Sequence, residues 1–337
     1  MQIVPLDPHD DHTAESLFTL FSETKKADRP DMPALPKRLV FGQVRNPRPG
    51  HANTYWGVWD DARLVGVITV MLPMTDNRSL AMMRLEVHPD YRRRGIGSKL
   101  WEQARGFVRE NGRTTALMST SDTVPGGVER SQSGKAFAKR HGFSLALQEE
   151  VWSASVTHLD PAVENELSER ARLRAEGYEL LRWTGTVPAE QREPMLRLDR
   201  MLLTEVPTGD IDFEEEQIDL QRSKDRAAFR QACGIELAQT AARDIESGLL
   251  VGHTMFMVYP EPATHAFQGI TLIDKQHRGK GLGTLLKIEN LRLLRHNYPR
   301  ITEVETGTAS ENTAMNAINQ KLGYASREIR LNYQVKL

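Results

Sequence analysis

One punctuated turn occurs twice in this chain, and it constrains the fold more than any other feature. Residues 84–100 pass from Leu85 and Val87 through Arg92-Arg93-Arg94-Gly95-Ile96-Gly97 into apolar residues at helical spacing: Ile96, Leu100, Ala104, Phe107 and Val108. Residues 270–286 repeat this, with Arg278, Gly281, Gly283 and Leu286 standing where Arg92, Gly95, Gly97 and Leu100 stand. A second matched pair follows downstream. Phe137–Phe143 ends in Gly142-Phe143, and Ile318–Tyr324 ends in Gly323-Tyr324. Two landmarks in one order at nearly one spacing mark an internal repeat. The 337 residues suit two domains of ordinary size. We place the boundary near His158, giving domains 1–157 and 158–337.

The halves share local patterning. In the first, the turn Trp59–Ala62 precedes a strand over Leu64–Leu72, and further strands are expected at Leu80–Val87 and Thr115–Thr120. In the second, strands are expected at Tyr178–Trp183, Gly234–Ala242, Leu249–Val258 and Phe267–Ile273, a helix at Leu282–Leu294, and a strand around Val304–Thr306. Pro161–Ala175 reads as a charged surface helix stopped by Gly177. Ile329, Leu331, Tyr333, Val335 and Leu337 alternate with polar residues, the period of a half-buried strand. Pro30–Pro36 and Pro207–Asp212 read as loops.

A strand, a glycine-dense basic turn and a helix together specify an anion cradle. Glycine lets the main chain approach a ligand, and the helix start supplies unpaired N–H groups and a positive dipole end. Arg92, Arg93 and Arg94, or Arg278 and Lys280, add charge. A Walker loop needs Gly-x4-Gly-Lys-Ser/Thr, which neither copy has. A dinucleotide fingerprint needs a third glycine, where Leu100 and Leu286 stand. The plain alternative is a solvated basic turn before a surface helix.

The pattern Arg92-x-x-Gly95-x-Gly97, repeated as Arg278-x-x-Gly281-x-Gly283, resembles the coenzyme A loop of the GNAT superfamily of N-acyltransferases. The chain looks like a tandem GNAT protein. Gln268–Thr271 and Asn312–Tyr324 are similar to two-domain actinobacterial members, among them mycothiol synthase and natural-product-cluster acetyltransferases. The resemblance implies an α/β fold of two consecutive GNAT-type domains. Each has a mixed, mostly antiparallel sheet with flanking helices, and its fourth and fifth strands splay apart for the pantetheine arm.

It also implies roles. Leu85, Val87 and His88 in the first copy, and Thr271, Ile273 and Asp274 in the second, would pair with pantetheine and the thioester carbonyl. Arg92, Arg93, Arg94, Gly95, Ile96, Gly97 and Ser98 would hold the pyrophosphate, as would Arg278, Gly279, Lys280, Gly281, Leu282, Gly283 and Thr284. Asn312 matches a pantetheine-contacting asparagine whose place Ser131 takes in the first copy. A tyrosine commonly protonates the leaving thiolate seven residues later, but Asn319 and Ala138 stand there, so the acid is open. Glu86 and Glu305 (with Glu303 on the same face) are the carboxylates able to help deprotonate an attacking amine, and Asn319 completes the catalytic candidates. A glutamate in a strand is equally a solvated or paired outer-face residue. Because Asn312 is retained, the second half is expected to perform the transfer, with acyl-CoA bound in both.

The expected reaction is transfer of an acetyl or other acyl group from acyl-CoA to a primary amine of a small molecule, in specialised metabolism such as antibiotic biosynthesis. The alternative is a non-catalytic acyl-CoA-binding sensor or assembly protein. Lys+Arg is 44 and Asp+Glu 45, a formal net charge of −1, which gives no general pull on nucleic acid or membrane. Cys233 is the single cysteine, so no disulfide framework is available, and it is expected to be a buried small residue. The ten histidines show no metal-binding spacing, and no metal is expected. The start, Met1–Pro5, has no basic or long apolar leader. These point to a cytoplasmic monomer or homodimer. The acceptor is expected to be set by loops around Pro30–Arg48, Val187–Asp212 and Glu261–Ala266.

Overall fold

The computed structural model describes residues 2–157, 159–205, 209–211, 213–214 and 217–337, with 202–205 described as main chain. The chain divides into two compact units. One comprises Met1–Glu149, Thr208–Glu215 and Glu328–Leu337; the other comprises Glu150–Pro207 and Glu216–Arg327. The expected join at His158 lies outside the described residues, as do Pro207, Thr208 and Asp212 of the expected loop.

The elements are, in order, β1 (Ile3–Pro5), α1 (Asp11–Asp28), α2 (Lys37–Arg45), β2 (His51–Asp60), β3 (Arg63–Pro73), β4 (Leu80–Val87), α3 (Ile96–Glu110), β5 (Thr115–Asp122), α4 (Ser133–Arg140) and β6 (Ser144–Ser155). There follow α5 (Pro161–Arg174), β7 (Tyr178–Thr184), α6 (Arg192–Glu205), α7 (Leu220–Ala232), β8 (Glu236–Asp244), β9 (Leu250–Val258), β10 (His265–Ile273), α8 (Leu282–Asn297), β11 (Glu303–Ala309), α9 (Thr313–Lys321) and β12 (Ala325–Lys336). The fold is mixed α/β with mostly antiparallel pairing and flanking helices.

In the first unit the strand order is β1-β2-β3-β4-β5-β12, and in the second it is β6-β11-β10-β9-β8-β7. The repeat therefore survives in space with one exchange. The last residues of the chain, 328–337, complete the first unit, and β6 passes from Glu149 into the second. The sequence boundary had assigned the C-terminal strand to the second domain. A period of two defines which face of a strand is buried, not which strand it pairs with. β12 pairs antiparallel with β5 from Ile329↔Asp122 to Lys336↔Thr115.

Among the described residues, β4–β5 and β10–β11 pair in parallel, and both ladders are short. β4 pairs β5 only at Leu80↔Thr115, Ala81↔Ala116 and Met82↔Leu117. β10 pairs β11 from His265↔Glu303 to Gln268↔Thr306. Beyond these rungs the strands diverge, which is the expected splay. β10 also carries a bulge between Gln268 and Thr271 against β9; β4 pairs β3 in unbroken register.

α3 lays Ile96, Leu100, Trp101, Ala104 and Val108 on the first sheet, a single apolar stripe. α8 is buried on more than one side because α5 packs along it. Its Glu289 meets Arg182, Arg172 (3.2 Å) and Arg292 (2.9 Å), so this buried charge is paired. Two segments expected to be acceptor loops contain helices. Within 30–48, Pro36 precedes α2, which buries Leu39, Val40 and Val44; α6 occupies much of 187–212. Cys233 caps α7 and is fully buried. No described helix is long and apolar enough to cross a membrane.

Candidate functional site

Both turns are built alike. After β4, the His88 side chain accepts from Asp90 N (3.2 Å) and caps a single 3-10 turn, Pro89–Tyr91. After β10, Asp274 accepts from Gln276 N (3.2 Å) and caps Lys275–His277. The chain then needs left-handed backbone twice: at Arg93 and Gly95 (φ 63° and 82°), and at Gly279 and Gly281 (φ 78° and 75°). Glycine accepts this conformation without cost, which explains the shared Gly95 and Gly281. From Arg93 through Ser98 the main-chain N–H groups find no carbonyl partner among the described residues. They form a row of free donors at the start of α3.

The shared arginine also has a task within the turn. Arg92 Nε donates to Val87 O (2.9 Å) and Arg278 Nε to Ile273 O (3.1 Å). Each braces the turn against the strand it leaves. The terminal nitrogens of Arg92 donate to Asp28 at 2.6 and 2.7 Å and, more loosely, to Ser131 Oγ at 3.4 Å. The cradle in the first unit is therefore mainly main chain, with Arg93 beside it. Arg94 turns away, donating to Asp90 O and lying 4.9 Å from the Tyr91 ring centre. The His88 ring also turns inward, its Nε2 lying beside Arg63 and 3.4 Å from Glu23 Oε2. In the second unit Lys280 donates to Tyr178 OH (2.8 Å).

A cavity of about 850 Å³ runs along the first turn. It is lined by Arg92, Arg93, Gly95, Ile96, Gly97 and Ser98, by Met83–Val87 of β4, and by Met118–Ser121 of β5. Ser131, Phe137 and Ala138 close one side, α1 contributes Asp28, and β12 contributes Glu328, Arg330 and Tyr333. Of the first-copy candidates, Leu85, Glu86, Val87, Arg92, Arg93, Gly95, Ile96, Gly97, Ser98 and Ser131 thus share one cleft; His88 and Arg94 do not. Glu86 is held by Arg84 Nε (2.9 Å), whose guanidinium stacks 3.7 Å from the Phe21 ring centre.

At one end of the cleft lies a buried ion cluster that sequence reasoning missed. Glu328, fully buried, accepts both arms of Arg29 (2.8 and 2.7 Å), Arg130 Nε (3.1 Å) and Ser121 Oγ (3.2 Å). Arg130, 1% exposed, also grips Asp31 with both terminal nitrogens. Burial pulls the Arg130 pKa down, but Asp31 and Glu328 outweigh it and hold the group above its ordinary value.

The second unit fills the equivalent ground differently. Four residues after the last turn glycine, the first unit has Trp101 and the second has Lys287. Trp101 packs on Phe143 (centroids 5.1 Å apart) beside Ala138. Lys287 lies 5.1 Å from the Tyr324 ring centre and donates to Asn319 Oδ1 (2.5 Å). Nearby, Tyr324 OH donates to Gln268, Gln268 to Thr254, and the Thr254 and Thr271 hydroxyls meet at 2.8 Å. Asn319 is fully buried in this network, and an amide has no acidic proton to give. Asn312 caps α9, accepting from Met315 N (3.2 Å). Glu303 pairs with Arg327 (2.7 Å), and Glu305 is half-buried on the same strand face.

α5 flanks the second turn. Arg174 donates to Gly279 O (2.7 Å), and a Cβ on Gly281 would lie 3.0 Å from Ala171 O. Around Gly95 a Cβ would meet nothing within 4 Å. The first turn is the more open of the two on this side.

Burial lowers the Lys287 pKa from 10.5 to about 7. The unfolded chain then holds the extra proton between the two values, so stability should rise with pH from about 7 towards 10. Below 7 the full cost of burying the ammonium is felt. Lys287→Met should remove this slope. The stability difference between wild type and variant should change by roughly 3–5 kcal/mol between about pH 6.5 and pH 10, read from urea unfolding. Parallel pH profiles for the two proteins would show that the buried amine is not titrating.

Residues 15–143 match the acetyltransferase (GNAT) family. Among solved structures, a tandem GNAT protein from the clavulanic acid biosynthesis pathway is 27% identical. The match covers 99% of this chain and 98% of that one, with a TM-score of 0.83. A GCN5-related N-acetyltransferase from Sphaerobacter thermophilus has the same fold at 15% identity, over 99% and 95% of the two chains, with a TM-score of 0.68. Comparison with curated protein sequences gives no match. The first unit thus carries a GNAT acetyltransferase domain, and the two-unit fold is that of tandem GNAT proteins.

Proposed function

We propose that this chain transfers an acyl group, acetyl in the simplest case, from acyl-coenzyme A to a primary amine of a small molecule, and that the cleft of the first unit is the site. One observation carries this reading: a cavity of about 850 Å³ joins the row of free N–H groups at Arg93–Ser98 to the gap between β4 and β5. A pyrophosphate suits the helix start, where donors and dipole act together. A thin arm suits the gap, where the main chain of Leu85 and Val87 has lost its β5 partner. An N–H there would stabilise the oxyanion that forms as the amine adds to the thioester. Glu86 would accept the proton the amine must lose, directly or through water.

The clavulanic acid relative supports a place in specialised metabolism. The sequence had favoured the second half as the transferring one because of Asn312. The cavity at the first turn and the buried Lys287–Asn319 contact in the second unit favour the reverse.

Thiol release from acetyl-CoA, followed with a panel of small amines, tests the proposal. The expected result is release that depends on the amine. The second reading, acyl-CoA binding without transfer, draws support from Ala138 and Asn319 standing where a tyrosine acid is usual in the family. Tight binding with no amine-dependent release would establish it instead.

A further inference from the structure

The acyl-transfer reading leaves a chemical gap. When the carbon–sulfur bond breaks, the electron pair passes to sulfur, and a thiolate leaves more easily if it is protonated as it departs. α4 lines the cleft with Ser133, Gly134, Ala136, Phe137, Ala138 and Arg140, and Ala138 stands where the family's acid is usual. Guanidinium groups there, Arg84 and Arg330 among them, hold their protons too tightly to serve. Serine and threonine hydroxyls are weaker acids still.

Two phenols line the cavity, Tyr91 and Tyr333. Tyr91 OH is already donating to Asp60 (2.8 Å). Tyr333 OH makes no hydrogen bond among the described residues. Tyr333 stands on β12 directly opposite Met118 of β5, at the side of the splay. With Val335 and Leu337 it packs on the cluster that contains Leu100, Ala138 and Phe143. Its ring is therefore packed against the core while its hydroxyl is uncommitted, and Ala138, which lines the same cavity, brings no competing donor.

Resting on the transfer reading above, we infer that Tyr333, from the last strand of the chain, is the acid of the first unit's cleft. The amine nitrogen bonds to the acyl carbon and the carbon–sulfur bond breaks. The phenol proton goes to sulfur; Glu86 takes the proton the amine loses, and that proton then returns from Glu86 to the phenolate through water. The products are the amide and the free thiol of coenzyme A.

Tyr333→Phe removes one oxygen and leaves the packing in place. It should lower kcat about 100-fold while the KM for acyl-CoA stays within about threefold. A second readout needs no turnover. Calorimetry should show wild type binding coenzyme A about fivefold tighter than desulfo-coenzyme A, because the phenol donates to sulfur. The variant should bind the two alike. A variant with wild-type kcat, or one that keeps the preference for the thiol, overturns the assignment. If wild type itself shows no amine-dependent thiol release, the transfer reading fails; the paired binding measurement still decides whether Tyr333 faces the sulfur.

Discussion

Gly97→Glu is expected to reduce kcat/KM for acyl-CoA by roughly 100-fold or more while the protein stays folded. Gly97 is the second residue of α3 and lines the cleft. A Cβ there would sit 3.4 Å from the Phe137 ring and 3.6 Å from Leu85, ordinary contact distances. Its φ is not left-handed, and a glutamate in the first turn of a helix suits the dipole, so the substitution should not destabilise α3. The carboxylate would take the free N–H groups for itself and oppose the diphosphate, a like-charge conflict that costs several kcal/mol. Gly283→Glu makes the matching change in the second unit, where Cβ would lie 3.2 Å from Ile318 Cδ1. If the first cleft performs transfer, that variant should keep turnover within about threefold, with any loss appearing in stability. The reverse pattern would return the reaction to the second half, as the retained Asn312 had suggested.

How much of this was legible depends on what each residue pattern encodes. Leu80–Val87 was read as a strand with the bounds it has, and the helical spacing from Ile96 to Val108 falls inside α3, because such patterns are local. The two turns were legible because left-handed backbone leaves glycine little competition. α2 was lost in a stretch read as loop because the prolines before it dominated, although a proline just ahead of a helix is well tolerated. Arg92 was read as a ligand-facing cation, whereas its Nε is spent on Val87 O. No spacing announces which way a guanidinium turns. Tyr333 and Glu328 were hidden for a different reason. Their strand was evident, but its partner β5 lies some 200 residues earlier, and pairing at that separation leaves no local mark.

Glu328→Ala should be among the most damaging single changes in the first unit. The carboxylate receives Arg29, Arg130 and Ser121 from three separate segments, and it arrives on the strand made last. Deleting it leaves Arg130, buried to 1% exposure, with Asp31 as the carboxylate partner shown and its Nε without that acceptor. Removing one member of a buried ion pair costs about 3–5 kcal/mol, because the partner's charge stays desolvated. Glu328→Gln keeps the shape and one acceptor oxygen, so it should cost less. Pairing Glu328→Leu with Arg130→Met removes both charges and should recover much of the loss. Urea unfolding with acyl-CoA absent reports the stability term, and coenzyme A binding reports the cleft. If the cluster ties β12 to α1 and to the segment after β5, Glu328→Ala must weaken both together, whereas the double substitution must restore stability ahead of binding. Equal stability for Glu328→Ala and wild type would mean that β12 is held by its ladder to β5 alone, and the cluster would then be no more than a satisfied patch at the end of the cleft.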